Sequence, residues 1–65
     1  MNRAQQRVVR EQMAARIEKQ WDQLRSNLEL AMSQRMVSTA QSVYIEIRCR
    51  EMDETMKNTT ELMRA

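Results

Sequence analysis

Val43-Tyr44-Ile45-Glu46-Ile47-Arg48-Cys49-Arg50 is the stretch on which the fold turns. Val43, Ile45, Ile47 and Cys49 alternate with Tyr44, Glu46, Arg48 and Arg50, a period of two that on its own reads as a half-buried strand. The residues on either side argue for a helix. Glu46, Arg50 and Glu54 lie four apart, as do Asp53, Lys57 and Glu61, which sets opposite charges side by side on a helix surface. Met52, Met56 and Met63 continue from Ile45 and Cys49 in steps of four, three, four and seven, a heptad spacing that no pleat follows. No second stretch alternates in the same way, so a strand here would have to pair with another chain. A helix over about 42–64 is the reading adopted; an intermolecular β-strand at 43–49 is the alternative.

Upstream, Asn2 to Gln34 is dominated by strong helix formers: Ala, Gln, Arg, Glu, Met and Leu. Val9, Met13, Ile17, Trp21, Leu24, Leu28 and Ala31 step by three or four along one stripe. Ala14, Ile17, Trp21, Leu24, Leu28 and Ala31 also alternate three and four without a break, a coiled-coil register. The spacing predicts a long amphipathic helix over about 3–33. Ser26-Asn27-Leu28-Glu29 has the form of a capping box, but it sits inside the unbroken stripe and is read as a decoy.

Between the two helices, Met36 to Tyr44 carries no charge, and Ser33, Ser38, Thr39 and Ser42 cluster there. Ser and Thr compete for backbone hydrogen bonds and favour caps and turns over helix interiors. Ser38-Thr39-Ala40-Gln41 can form a capping box, with Gln41 returning to the Ser38 amide, although Ser42 denies it a hydrophobic staple. A turn over about 34–41 follows. The chain contains no Gly or Pro, so a continuous helix of about 97 Å is the competing geometry.

As a helix, the second segment is apolar on two faces near its start. Met36, Ala40, Val43 and Ile47 make one stripe; Ile45, Cys49, Met52, Met56 and Met63 make another, nearly opposite. A hairpin covers only one of them, and an uncovered apolar stripe marks an association surface. The fold class expected is therefore all-α: an antiparallel two-helix hairpin or a long coiled-coil-like pair, forming a single small domain over 1–65 that is oligomeric. The core or oligomer contact is assigned to Met13, Ile17, Trp21, Leu24, Leu28, Ile45, Cys49, Met52 and Met56. Trp21 is its anchor.

Charge is laid out unevenly. The first ten residues carry +3 and residues 51–65 carry −2, both signs opposing the helix macrodipole. Laying the basic start of one helix beside the acidic end of another would relieve the conflict. Exposed pairs contribute only about 0–1 kcal/mol each, so they set orientation more than stability. Counting the heptad back from Ala14 and Ile17 lands on Arg10, Arg7 and Arg3. The bland reading of this row is a solvated helix end; the sharper one is a docking row for carboxylates or phosphates, which Arg grips bidentately.

Composition excludes much else. In 65 residues with a net charge of +2 there is no His and one Cys. The usual general base, the commonest metal ligand and any internal disulfide are therefore missing. No phosphate-cradling glycine loop exists, the acids sit singly on polar faces, and no Asp/Glu/His cluster has ligand spacing. Neither catalysis nor a metal or cofactor is expected, and no small-molecule ligand. Cys49 reads as a small buried hydrophobe. No apolar run approaches the roughly 20 residues that span a bilayer, and no secretory core is present. The first helix mixes acids with its Arg residues, which disfavours a membrane-surface helix. Arg3, Arg7 and Arg10 lack the Ser-rich context of a mitochondrial presequence, and the sequon Asn58-Thr59-Thr60 reads as chance. A cytoplasmic protein is expected.

The function expected is a non-enzymatic helical protein–protein interaction module: a small adaptor, inhibitor or regulator that binds itself and another protein. Met36, Ala40, Val43, Ile47, Arg3, Arg7 and Arg10 are the candidate partner-binding residues. Seven Met residues suit such a surface because Met adapts its shape to a partner. The alternative is a nucleic-acid-binding regulator built as a dimer of hairpins, with Arg rows on the phosphate backbone. The small net charge and the scarcity of stacking aromatics beside basic residues count against it.

Overall fold

A computed structural model describes residues 2–65. Two helices in contact make up the fold: α1, Arg3–Ser33, and α2, Thr39–Arg64. No strand occurs among the described residues. The alternating stretch 43–49 lies wholly within α2, and Ile45 and Cys49 are half-buried there while Val43 and Ile47 face outward.

Both helices start with a capping box. Asn2 Oδ1 accepts from the Gln5 amide at 2.8 Å, and the Asn2 amide donates to Gln5 Oε1 at 3.2 Å. Ser38 and Gln41 repeat the exchange at 3.2 and 2.8 Å. Each box satisfies two backbone groups that a helix terminus otherwise leaves unpaired. The second box sets the start of α2 at Thr39, three residues before the 42 suggested by the sequence. The local cap, rather than the apolar stripe, decides the boundary. Ser26 to Glu29 runs through α1 without interruption.

The reversal is made without glycine. The Arg35 amide donates to Met32 O at 3.1 Å and the Met36 amide to Ala31 O at 3.0 Å, the paired bonds of a Schellman motif. The position that usually holds glycine is taken by Arg35 at φ 57°, a left-handed conformation costing about 1–2 kcal/mol in a residue with a Cβ. This break replaces the continuous rod with a helical hairpin of 51 × 17 × 10 Å, whose length is close to that of α1 alone at about 1.5 Å per residue.

The seam between the helices is thin. Ala14 is the one fully buried apolar residue among those described, and Thr60 is 4% exposed. The Trp21–Asp53 pair reports a register in which Ala14 lies opposite Thr60, both small side chains. Thr60 Oγ1 lies 2.9 Å from Met56 O and 3.1 Å from Lys57 O. Its hydroxyl is satisfied within its own helix, so burial leaves no polar group unpaired. Ile17, Trp21, Leu28, Ile45, Cys49, Met56 and Met63 complete the seam, all half-buried.

Candidate partner-binding surfaces

Polar contacts pin the hairpin at two levels. Near its middle, Trp21 Nε1 donates to Asp53 Oδ1 at 2.6 Å, and Arg25 Nη1 meets Asp53 Oδ2 at 2.8 Å. Arg25 Nε also lies 3.3 Å from Glu29 Oε1. A Trp in a packed seam needs a partner for its N–H, and here a carboxylate from the other helix supplies it. At the far end, Arg64 Nε and Nη2 donate to Glu11 Oε2 and Oε1 at 2.8 and 3.1 Å, and Nη2 also reaches Glu18. Hydrogen bonding from Arg64 holds the Glu11 carboxyl below its ordinary value, against a weaker opposing effect of desolvation and with added Coulomb attraction. Glu11 first, then Glu18, pushes Arg64 upward in turn.

This clasp differs from the charge arrangement suggested by the sequence. A cation in the last turn of α2 meets acids of α1, rather than the basic start of α1 meeting the acidic end of α2. The reason is length. The end of α2 lies beside Glu11, so the first two turns of α1 project past it. Arg3, Arg7 and Arg10 sit on that exposed projection and join no ion pair among the described residues. The i,i+4 charge ladder expected along α2 is also replaced. Asp53 turns to Trp21 and Arg25, and the ion pair within α2 among the described residues is Arg48–Glu51 at 3.1 Å.

The other candidate residues fall into two groups. Ala40, Val43 and Ile47 are exposed on the side of α2 turned away from α1, whereas Met36, 72% exposed, lies in the reversal before α2, so the helical stripe expected from Met36 begins at Ala40. Of the core or oligomer set, Ile17, Trp21, Leu28, Ile45, Cys49 and Met56 lie in the seam, whereas Met13, Leu24 and Met52 remain exposed. Cys49 is a free thiol, half-buried in the seam.

The two broad sides of the hairpin differ in chemistry. One side opens into a groove lined by Trp21, Leu28, Tyr44, Ile45, Cys49 and Met52, with Arg48 its single charged wall. On the other side the grooves are walled by Arg25, Glu29, Glu46, Arg50 and Asp53, and then by Glu18, Asp22, Lys57, Glu61 and Arg64. Reading the acids as single groups on solvated faces misses the Asp53 and Arg64 contacts. A Trp in mid-stripe was the available signal, since its N–H calls for an acceptor on the facing helix.

Among the described residues no three His, Cys, Asp or Glu side chains converge as a metal site, and no helix is long and apolar enough to cross a membrane. No protein-family model, curated protein or solved structure matches the chain.

Proposed function

We propose that the chain is a non-enzymatic helical interaction module, an antiparallel hairpin that self-associates and binds a protein partner as a small adaptor, inhibitor or regulator. One observation carries this reading. Among the described residues the hairpin fully buries a single apolar side chain, Ala14, while Met36, Val43, Ile47, Leu24 and Tyr44 are each about half exposed or more. Large exposed apolar area on so small a chain is the mark of an association surface. The stripe Met36-Ala40-Val43-Ile47 is the surface offered to the partner, and the Arg3-Arg7-Arg10 projection orients acidic groups towards it.

Sedimentation of the purified chain at micromolar concentration tests self-association. A species heavier than 7.8 kDa is expected; a folded monomer refutes it. A photo-crosslinker at Ile47 tests the partner surface, with one at Lys57 as control. Adducts to a different protein at Ile47 alone, abolished by Val43→Asp, are expected. Equal labelling at both positions refutes this assignment.

The unpaired Arg3, Arg7 and Arg10 also favour a second reading, contact with a nucleic-acid backbone. Such binding weakens steeply with salt as counterions are released. Absence of binding at about 50 mM salt removes it.

A further inference from the structure

We propose that the apolar broad side of the hairpin, around Trp21, Leu24, Leu28, Tyr44 and Met52, is where a second copy of this chain docks, giving a four-helix bundle. The proposal rests on the self-association reading above and assigns it a face.

Surface area is the first argument. The hairpin exposes 5606 Å², where a compact monomer of its mass would expose roughly 4,400 Å². The excess is about 1,200 Å², and a stable dimer of standard size buries about 800 Å² per partner. Shape agrees: the radius of gyration is 15.5 Å, against about 10.7 Å for a compact 65-residue domain and about 14 Å for one of twice the length.

Chemistry selects the side. In a two-fold dimer each patch meets its own copy, so the patch must be self-complementary. Charge on it would face like charge. The groove side satisfies this condition. Met13, Gln20, Leu24, Asn27 and Ala31, stepping by seven, four, three and four, carry no charge along this side of α1. The one charged wall residue of the groove, Arg48, is already neutralised by Glu51. The opposite broad side, walled by at least five charged groups in each of its two grooves, would have to desolvate them all.

The other apolar patches are small: Ala4, Val8 and Val9 occupy about two turns at one end of α1, and the stripe that ends at Ile47 is short. The helical part of the stripe, from Ala40 to Ile47, runs only about 10 Å of the 51 Å length, and its continuation is Glu51 and Glu54. It is too short to bury the excess area, which leaves it free for a different protein.

Peroxide oxidation of the unmodified chain, followed by mass spectrometry across a concentration series, tests the assignment. Met13 and Met52 belong to the proposed interface and Met36 does not. Protection of Met13 and Met52 relative to Met36 is expected as the dimer forms. Equal oxidation of all three throughout, in a sample that sediments as a dimer, overturns the proposal. Leu24→Glu with Met52→Glu is expected to weaken dimerisation by roughly a hundredfold, while Val43→Glu with Ile47→Glu leaves it unchanged. The reverse pattern overturns the face and spares self-association. A folded monomer at every concentration overturns both.

Discussion

Replacing Asp53 with alanine removes an acceptor that two α1 side chains share. Trp21 Nε1 loses a 2.6 Å bond to a carboxylate and Arg25 loses its 2.8 Å ion pair. A hydrogen bond to a charged group contributes about 1.5–3 kcal/mol, and the lower end applies because Trp21 and Asp53 are only half-buried. The Arg25 side chain is 44% exposed, so screening leaves its pair at about 0.5 kcal/mol. Asp53→Ala is therefore expected to cost about 2 kcal/mol. In a chain of this size that corresponds to roughly 8–16 °C in Tm, measured by circular dichroism at one fixed protein concentration because the proposed self-association would shift the midpoint.

A double-mutant cycle separates the bond from general packing. Trp21→Phe removes the donor but leaves an aromatic ring in the seam. If the bond ties the helices together, combining it with Asp53→Ala costs about 1 kcal/mol less than the sum of the single changes. Additivity within about 0.3 kcal/mol would refute the reasoning, because the two side chains would then be neighbours without being partners. Asp53→Asn adds a check: it keeps an acceptor oxygen but no charge, and is expected to fall about midway between wild type and Asp53→Ala.

Arg35→Gly is expected to stabilise the hairpin by up to about 1 kcal/mol, seen as a raised Tm. Relief of left-handed strain exceeds the added freedom of the unfolded chain; a lowered Tm would show that the Arg35 side chain contributes more than its backbone costs. Ser38→Ala should cost about 1 kcal/mol through loss of the α2 cap, and Ser26→Ala should cost nothing because Ala is the better mid-helix residue. Equal losses in denaturant titration would contradict the cap assignment. The Glu11 carboxyl is held down in the folded chain, so its contribution is fully present above the unfolded carboxylate range and is lost as pH falls through the folded value. Glu11→Gln should therefore flatten the acid limb of the stability profile, and an unchanged limb would contradict the clasp.

Much of the secondary structure was legible because it is decided locally. Ser38 with Gln41 acts over three residues, and the stripe from Ala14 to Ala31 needs only helical spacing. The seam contacts were less legible. Asp53 finds Trp21 at a separation of 32 positions and Arg64 finds Glu11 at 53. A helix surface with acids and bases on most turns offers many such pairings at nearly equal energy. What chose among them was the length of the reversal. A turn closed by Arg35 sets the register, and the register places Arg64 beside Glu11 while carrying Arg3, Arg7 and Arg10 past the end of α2. One glycine-free turn thus settled which charges pair and which remain available.

The run from Val43 to Cys49 resembled a strand for a reason that bears on how the molecule works. On a helix, residues two apart point about 200° away from each other, so apolar residues at every second position make both faces apolar. Strand-like alternation inside a helix is then the trace of two separate demands. Ile45 and Cys49 answer the first by entering the seam with α1. Val43 and Ile47 stay about half exposed, and nothing in helix propensity favours β-branched residues there over Lys or Glu. A chain that needed only to fold would gain solubility by making these two positions polar. Their exposed apolar character is what the proposed partner surface would account for.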